Sequence, residues 1–295
     1  SKTPMVQSMQ SSCRIDSLIA EFSIHQAYGR YTKDEHDTWA LATSELREVL
    51  QGQTAVEFHS AFEGTGMAST HIPSLADIND ALKPHGWKAI VVEGFIPPDV
   101  FMTLQASAVL PITRSIRSRE QLGYTPVPDI IHEAAGHLPM LHLEEYRNFL
   151  QRLGEIGSSV MLQETDLLVY EKQKALAELL ADTQSDANRI AQAKRDVVCA
   201  VREAKAHPVS AARRIARFHW WTVEYGLIGA DHLIYGAGLW SSAGEVRGFR
   251  RVPHYRLSVE CCEQSFDIDH AQPFYFVADS WDHLNFELDQ LECLT

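Results

Sequence analysis

The spacing of apolar residues along the chain predicts helices over most of its length. In residues 14–51 apolar side chains recur three and four positions apart, which indicates helix. Ser74 is a plausible capping residue for a second helix that ends near Gly86. Pro98 can begin a third helix, which carries Phe101. Short segments rich in β-branched or aromatic residues predict strands at 87–93, 232–235, 255–259 and 274–277. The expected fold class is mainly α with small β pieces.

One long polar segment differs from the rest. Residues 163–207 contain neither glycine nor proline and carry two apolar stripes at helical spacing, separated by turn-forming residues at 182–186. We expect a helical-hairpin insertion at about 159–207 within a single domain, 1–295. It would cover the domain surface or mediate dimerisation, and it would be dispensable for metal binding. Two ordinary surface helices are the alternative.

The amino-acid composition argues against two kinds of binding partner. The 295 residues include 26 Lys and Arg against 39 Asp and Glu, a net charge of −13, which argues against nucleic acid and anionic membranes as partners. No apolar run is long enough to span a membrane, and the first residues do not resemble a secretory signal. Five cysteines without paired CxxC spacing favour a reducing compartment. We expect a cytoplasmic monomer or homodimer.

A pair of histidines suggests a metal site. His132 and His137 are five residues apart, which on an ideal α-helix would separate them by about 140°. Gly136 could relieve this by ending or distorting the helix. Two imidazoles and one carboxylate on one face of a metal are the ligand set of non-haem Fe(II) oxygenases. With Glu133 as a general base, the same set would instead resemble a zinc hydrolase.

A carboxylate in an aromatic segment is the best candidate for the third ligand. Glu224 lies within residues 218–227, which read FHWWTVEYGL. A surface charge is not expected in such a run, and a buried carboxylate requires a metal or another partner.

Sequence blocks along the whole chain resemble the catalytic domain of the pterin-dependent aromatic amino acid hydroxylases. They occur in the family's order and cover nearly everything except residues 159–207. The blocks are YTKDEHDTW at 31–39, IPSL at 72–75, Gly86-Trp87, Gly94-Phe95 with Phe101, residues 124–139, residues 220–227, YGAGLWSSAGE at 235–245 and QPFYFVADS at 272–280.

The resemblance implies a monooxygenase that hydroxylates the ring of an aromatic amino acid. His132, His137 and Glu224 would bind Fe(II), and O₂ would be the co-substrate. Tetrahydrobiopterin, or another reduced pterin, would supply two electrons. The residues implied in pterin binding are Phe101 by stacking, Gly94 and Phe95 through their backbone, Glu133 through water, and Ala216 as part of the wall.

The resemblance also implies a substrate side. Arg117 would pair with the amino acid carboxylate, a contact suited to the guanidinium fork, and Asp129 would hold Arg117. The residues implied to meet the substrate backbone are Thr125, Gly238, Ser241 and Ser242, and those forming walls for the ring are Pro128, His132 and Trp220. Trp220 and Ile268 favour phenylalanine over tryptophan and tyrosine. Tryptophan or a modified aromatic amino acid is the alternative substrate. A zinc hydrolase and a non-catalytic iron- or pterin-binding protein are the alternative functions.

The sequence departs from the family pattern at four points. Pro111 stands where the family usually has a histidine, His219 replaces a tyrosine, and Pro98 replaces a residue that contacts the cofactor. Glu224 follows His137 by 87 positions, far more than is usual in the family. The surplus corresponds to the predicted hairpin.

Overall fold

Helices dominate the computed structural model, which describes residues 4–123, 127–160, 164–182, 184–268 and 270–295, with side chains described from residue 12 onward except at 181. In chain order the α-helices are α1 (Pro4–Phe22), α2 (Lys33–Val49), α3 (Phe58–Gly64), α4 (Leu75–Leu82), α5 (Pro98–Ala106), α6 (Leu138–Met140), α7 (Glu144–Ser158), α8 (Glu164–Ala181), α9 (Ala187–Lys205), α10 (Ala211–His219), α11 (Ala237–Trp240), α12 (Ala243–Val246) and α13 (Trp281–Cys293). Two π-helices, π1 (Ile131–His137) and π2 (Trp220–Glu224), interrupt this series.

The strands form two small sheets. Strands β1 (Lys88–Val92) and β2 (Val109–Thr113) pair in parallel. A four-stranded sheet has the order β4-β3-β6-β5, its strands being β3 (Leu227–Ile228), β4 (Leu233–Ile234), β5 (His254–Arg256) and β6 (Tyr275–Ala278). In it β4 runs antiparallel to β3, and β6 runs parallel to both β3 and β5. The expected class, mainly α with small β pieces, is confirmed.

Local sequence signals account for several element boundaries. Ser74 caps α4 in a reciprocal arrangement with Asp77, and Gly86 (φ 73°) follows the short 3-10 turn that ends this unit. Pro98 occupies the first turn of α5, as predicted. Strand β2 was not predicted because Pro111 lies at its centre. Proline is tolerated there because the sheet has only two strands, so each is an edge strand.

The single helical region predicted for residues 14–51 is wrong, since the structure has two helices there. Helix α1 ends at Phe22, and α2 starts at Lys33 after a 3-10 turn over Tyr28–Arg30. Thr32 and Glu35 form a capping box that begins α2. Their reciprocal hydrogen bonds satisfy backbone groups that a continuous helix would have paired internally.

The predicted helical hairpin is present. Helices α8 and α9 pack against each other, and Asp186 begins α9 by accepting a hydrogen bond from the Asn188 amide at 3.0 Å. The larger buried apolar core includes residues from α2 to α13, and none of the described side chains of α8 and α9 belongs to it. The single-domain description of residues 1–295 and the hairpin's part in dimerisation stay predictions. None of the described helices is both long and apolar enough to cross a membrane.

A tight helix crossing lies next to Phe101, which is part of α5. Helix α5 packs against α7 at Gly154, where an added Cβ would lie 2.5 Å from the Ala106 amide nitrogen and 2.8 Å from the Met102 carbonyl oxygen. Both of these are backbone atoms, so the crossing cannot widen without moving α5.

We predict that Gly154→Ala destabilises the protein by about 1–3 kcal/mol despite the better helix propensity of alanine, because the overpacked atoms are rigid. Gly29→Ala is the control, since its Cβ would meet nothing within 4 Å. That variant should stay within about 0.5 kcal/mol of wild type. Urea unfolding measures both, and equal stabilities of the two variants would contradict the tight crossing.

Candidate metal centre

Helix π1 brings His132 and His137 together. The Leu138 amide donates to the Glu133 carbonyl, a five-residue step that places side chains five apart on one face. The two Nε2 atoms are 3.1 Å apart. Gly136 does not end the helix before His137, because it lies inside π1, and the wider π turn is the distortion that brings the two histidines together. A Cβ there would be 2.7 Å from the Ala237 carbonyl oxygen, so glycine is needed for close packing.

Helix π2 delivers the carboxylate. The Tyr225 amide bonds to the Trp220 carbonyl at 3.0 Å, again across five residues. Glu224 Oε2 lies 3.0 Å from Nε2 of His132, and its Oε1 lies 3.2 Å from Nε2 of His137. π-Helices are rare in proteins and occur mostly at functional sites. Here both of them carry members of the predicted triad.

The three side chains are clustered closely enough to hold one metal ion. One ligand atom from each of His132, His137 and Glu224 lies within 4.8 Å of the other two. The contacts to Glu224 use different carboxylate oxygens, Oε2 toward His132 and Oε1 toward His137. Two imidazoles and one carboxylate on one face of an ion would leave three coordination positions open.

Neighbouring groups prepare the donors for a metal. The Ser241 hydroxyl donates to the Ala237 carbonyl at 2.7 Å, so it accepts from Nδ1 of His132 at 3.1 Å. This fixes the proton on Nδ1 and leaves Nε2 free to bind. Burial lowers the pKa of His137 although Glu224 opposes this shift. Burial raises the pKa of Glu224, but the two imidazoles outweigh it and hold that pKa well below its usual range.

Glycine residues allow α11, which follows Glu224 in the chain, to lie close to the two π-helices. A Cβ on Gly238 would lie 2.8 Å from the Glu224 carbonyl oxygen and 2.7 Å from the Tyr225 ring. Together with Gly136, this glycine lets α11 lie directly against the backbone of both π-helices. Gly238 therefore has a packing role in the structure, whereas the resemblance assigned it to the substrate.

The triad faces a cavity of about 460 Å³. The residues implied in pterin binding all line it, namely Gly94, Phe95, Phe101, Glu133 and Ala216. Much of the remaining wall is apolar and includes Val92, Ile96, Met102, Val109, Leu110 and Phe266. Buried apolar walls of this kind exclude water from the metal and the cofactor.

Glu133 is buried next to His132 but is not a member of the candidate metal-binding cluster. Its Oε2 accepts from the Thr113 amide at 3.4 Å. Burial raises the pKa of Glu133 well above its ordinary value, and the nearby carboxylates of Asp129 and Glu224 raise it further.

The predicted substrate residues lie mostly behind the cavity wall. Arg117 is buried, and its Nε and Nη2 donate to the two oxygens of Asp129 at 2.9 and 2.7 Å. Asp129 also accepts from the His132 amide at 2.9 Å, so it joins Arg117 to the metal segment. Pro128 lines the cavity, and the residues outside its lining are Arg117, Asp129, Trp220, Gly238, Ser241 and Ser242. Thr125 lies outside the described residues.

A glutamine that the sequence did not single out orients His219. The Gln105 amide donates to the Leu150 carbonyl at 2.9 Å, so its oxygen accepts from Nε2 of His219 at 3.3 Å. Nδ1 of His219 then points its lone pair toward Glu224, 3.9 Å away, and the ring packs edge-on to Phe101. Burial lowers the pKa of His219 to about 4, so the ring is neutral at pH 7. The other two departures from the family, Pro98 and Pro111, also line the cavity.

Comparison with known proteins agrees with this geometry. The model of the biopterin-dependent aromatic amino acid hydroxylase family matches residues 18–168 and 176–292, so the chain belongs to that family. The resemblance drawn from sequence blocks is confirmed.

Several relatives with similar sequences are phenylalanine-4-hydroxylases. The chain is 27% identical over 271 residues to the phenylalanine-4-hydroxylase of Chromobacterium violaceum, covering 90% of this chain and 76% of the relative. It is 28% identical over 267 residues to that of Caulobacter vibrioides, covering 88% and 75%. The cobalt-bound crystal structure of the C. violaceum enzyme has a TM-score of 0.69 at 26% identity, covering 92% of this chain and 86% of that one.

We predict that Glu224→Gln retains the fold but loses most of its iron, because a neutral amide is a poor substitute for the only charged ligand. Glu245→Gln is the control, since Glu245 is also a buried carboxylate but accepts hydrogen bonds from Tyr275 and the Gln272 amide. Iron per chain is measured by elemental analysis after gel filtration. Unchanged iron in Glu224→Gln would contradict the triad.

Proposed function

We propose that this chain is a non-haem Fe(II), tetrahydrobiopterin-dependent monooxygenase that hydroxylates the ring of an aromatic amino acid, converting phenylalanine to tyrosine. The observation that carries the proposal is the buried cluster of His132, His137 and Glu224, facing a cavity lined by the residues implied in pterin binding. Family membership and the phenylalanine-4-hydroxylase relatives support the same conclusion.

In this proposal His132, His137 and Glu224 hold the iron on one face. When bound, ferrous iron and reduced pterin together supply the electrons that activate O₂. Phe101 offers its ring as a stacking surface, and the backbone at Gly94 and Phe95 offers donors and acceptors to the pterin edge. The apolar wall keeps water away from these reactive groups.

Arg117 and Asp129 have a positioning role on the substrate side. Their two-pronged ion pair is buried, and Nη1 of Arg117 also donates to the Ser241 carbonyl at 2.8 Å. Arg117 is thereby fixed between Asp129 and Ser241, and both of these residues also hydrogen-bond to His132. We propose, as the family resemblance implies, that Arg117 recognises the substrate carboxylate through its charge, because Asp129 already occupies the Nε and Nη2 edge of the guanidinium.

Family membership and the phenylalanine-4-hydroxylase relatives favour this reaction over a zinc hydrolase and over a non-catalytic iron- or pterin-binding protein. Tryptophan or a modified aromatic amino acid remains the alternative substrate. All five cysteines are free thiols, which supports a cytoplasmic enzyme, and a monomer or homodimer is the proposed assembly.

The reaction is tested with iron-loaded protein, tetrahydrobiopterin, ¹⁸O₂ and separate samples of phenylalanine, tyrosine and tryptophan. We expect tyrosine carrying one ¹⁸O from phenylalanine, with pterin oxidation rising when phenylalanine is added. Glu224→Gln is the inactive control. Product from tryptophan alone would transfer the proposal to that substrate, and absence of any hydroxylated amino acid would contradict it.

A further inference from the structure

The helical hairpin lines the catalytic cavity. From α8 the lining residues are Asp166, Val169, Tyr170 and Gln173, and from α9 they are Val201, Ala204 and Lys205. Each set follows the i, i+3, i+4 spacing of one helix face, and the α8 set extends to i+7. The hairpin therefore presents one continuous face of each helix to the same space as the triad.

The hairpin also contacts the loop implied in pterin binding. The Tyr170 hydroxyl donates to the Phe95 carbonyl at 3.3 Å, across 75 positions of sequence. Burial raises the pKa of Tyr170, which favours the protonated, donating form. In the part of the chain that the structure describes, the Phe95 carbonyl accepts no backbone hydrogen bond.

That loop needs an external restraint. Gly94 has a φ of 60°, in the left-handed region, and residues 93–97 belong to no helix or strand. A glycine at the start of an irregular segment allows several backbone conformations. Ile96 of this segment packs against a small buried apolar cluster, and the Tyr170 hydroxyl adds a hydrogen bond at the neighbouring Phe95.

The base of the hairpin is fixed to the helix that leads into π2. The Ser210 hydroxyl donates to Asp166 at 2.9 Å, and Arg213 approaches the other oxygen of Asp166 at 3.7 Å. Arg213 also donates to the Pro208 carbonyl at 2.6 Å. The side of α9 that is most buried consists of small residues, which allow close packing, namely Ala193, Ala200 and Ala204. The hairpin is thus a fixed wall.

We propose that the α8–α9 hairpin is the outer wall of the cofactor half of the cavity, and that Tyr170 is a positioning residue for the reduced pterin. It holds the Phe95 segment in the conformation that presents its backbone to the pterin edge. This inference rests on the proposed function. In this proposal the hairpin contributes to pterin binding and supplies no ligand to the iron.

The test compares Tyr170→Phe with wild type, both iron-loaded and without oxygen, using 7,8-dihydrobiopterin as a redox-silent probe in titration calorimetry. We expect its Kd to rise about 3- to 10-fold, as for the loss of one hydrogen bond. Iron content and the Kd for phenylalanine, measured without pterin, should not change. Tyr170→Ala, which also removes the ring from the wall, should weaken pterin binding further. Tyr255→Phe is the matched control, since Tyr255 is exposed and does not line this cavity.

Three other outcomes would contradict the inference, either alone or together with the proposed function. If wild type binds dihydrobiopterin and both Tyr170 variants bind it equally well, this inference is wrong while the proposed function stands. If the Tyr170 variants lose iron and phenylalanine affinity together with pterin affinity, the residue is merely structural and the inference is overturned. A wild-type protein that binds no dihydrobiopterin overturns the proposed function and this inference with it.

Discussion

The winding of the chain between His132 and His137 is the constraint on which the metal centre depends. On an α-helix the two imidazoles would point about 140° apart and could not share an ion. As a π-helix the same five-residue step places their Nε2 atoms 3.1 Å apart. The wider turn is held in place by packing, since Gly136 lies directly against the Ala237 backbone. Substituting a larger residue there would therefore disturb the site without touching a ligand.

The groups around the triad act on its donors rather than on the metal. Ser241 fixes the tautomer of His132, and Asp129 holds the backbone at the same residue while it binds Arg117. These hydrogen bonds, all shorter than 3.2 Å, link Arg117 to His132. Mutation of such supporting groups typically costs about 10- to 100-fold in metal affinity or activity.

Much of the fold and the identity of the triad could be predicted from sequence. Caps such as Ser74 and Pro98 have local chemical causes, and Glu224 is recognisable as a charge in an aromatic run. The π-helices could not be predicted, because helices are recognised in a sequence by comparing the spacing of apolar residues with the 3.6-residue turn of an α-helix. The cavity-facing side of α8 was missed for a related reason. Its stripe mixes Asp166 and Gln173 with apolar residues, so it resembles a solvated face until the cavity opposite it is known.

The most direct test of the metal centre is X-ray absorption spectroscopy on the Fe(II)-loaded protein. We expect a five- or six-coordinate ferrous ion with two imidazole ligands and the remaining positions filled by oxygen, because the triad occupies only one face. Replacing His137 should remove one imidazole from the spectrum. A four-coordinate ion, or a spectrum with two imidazoles retained after that replacement, would contradict the account.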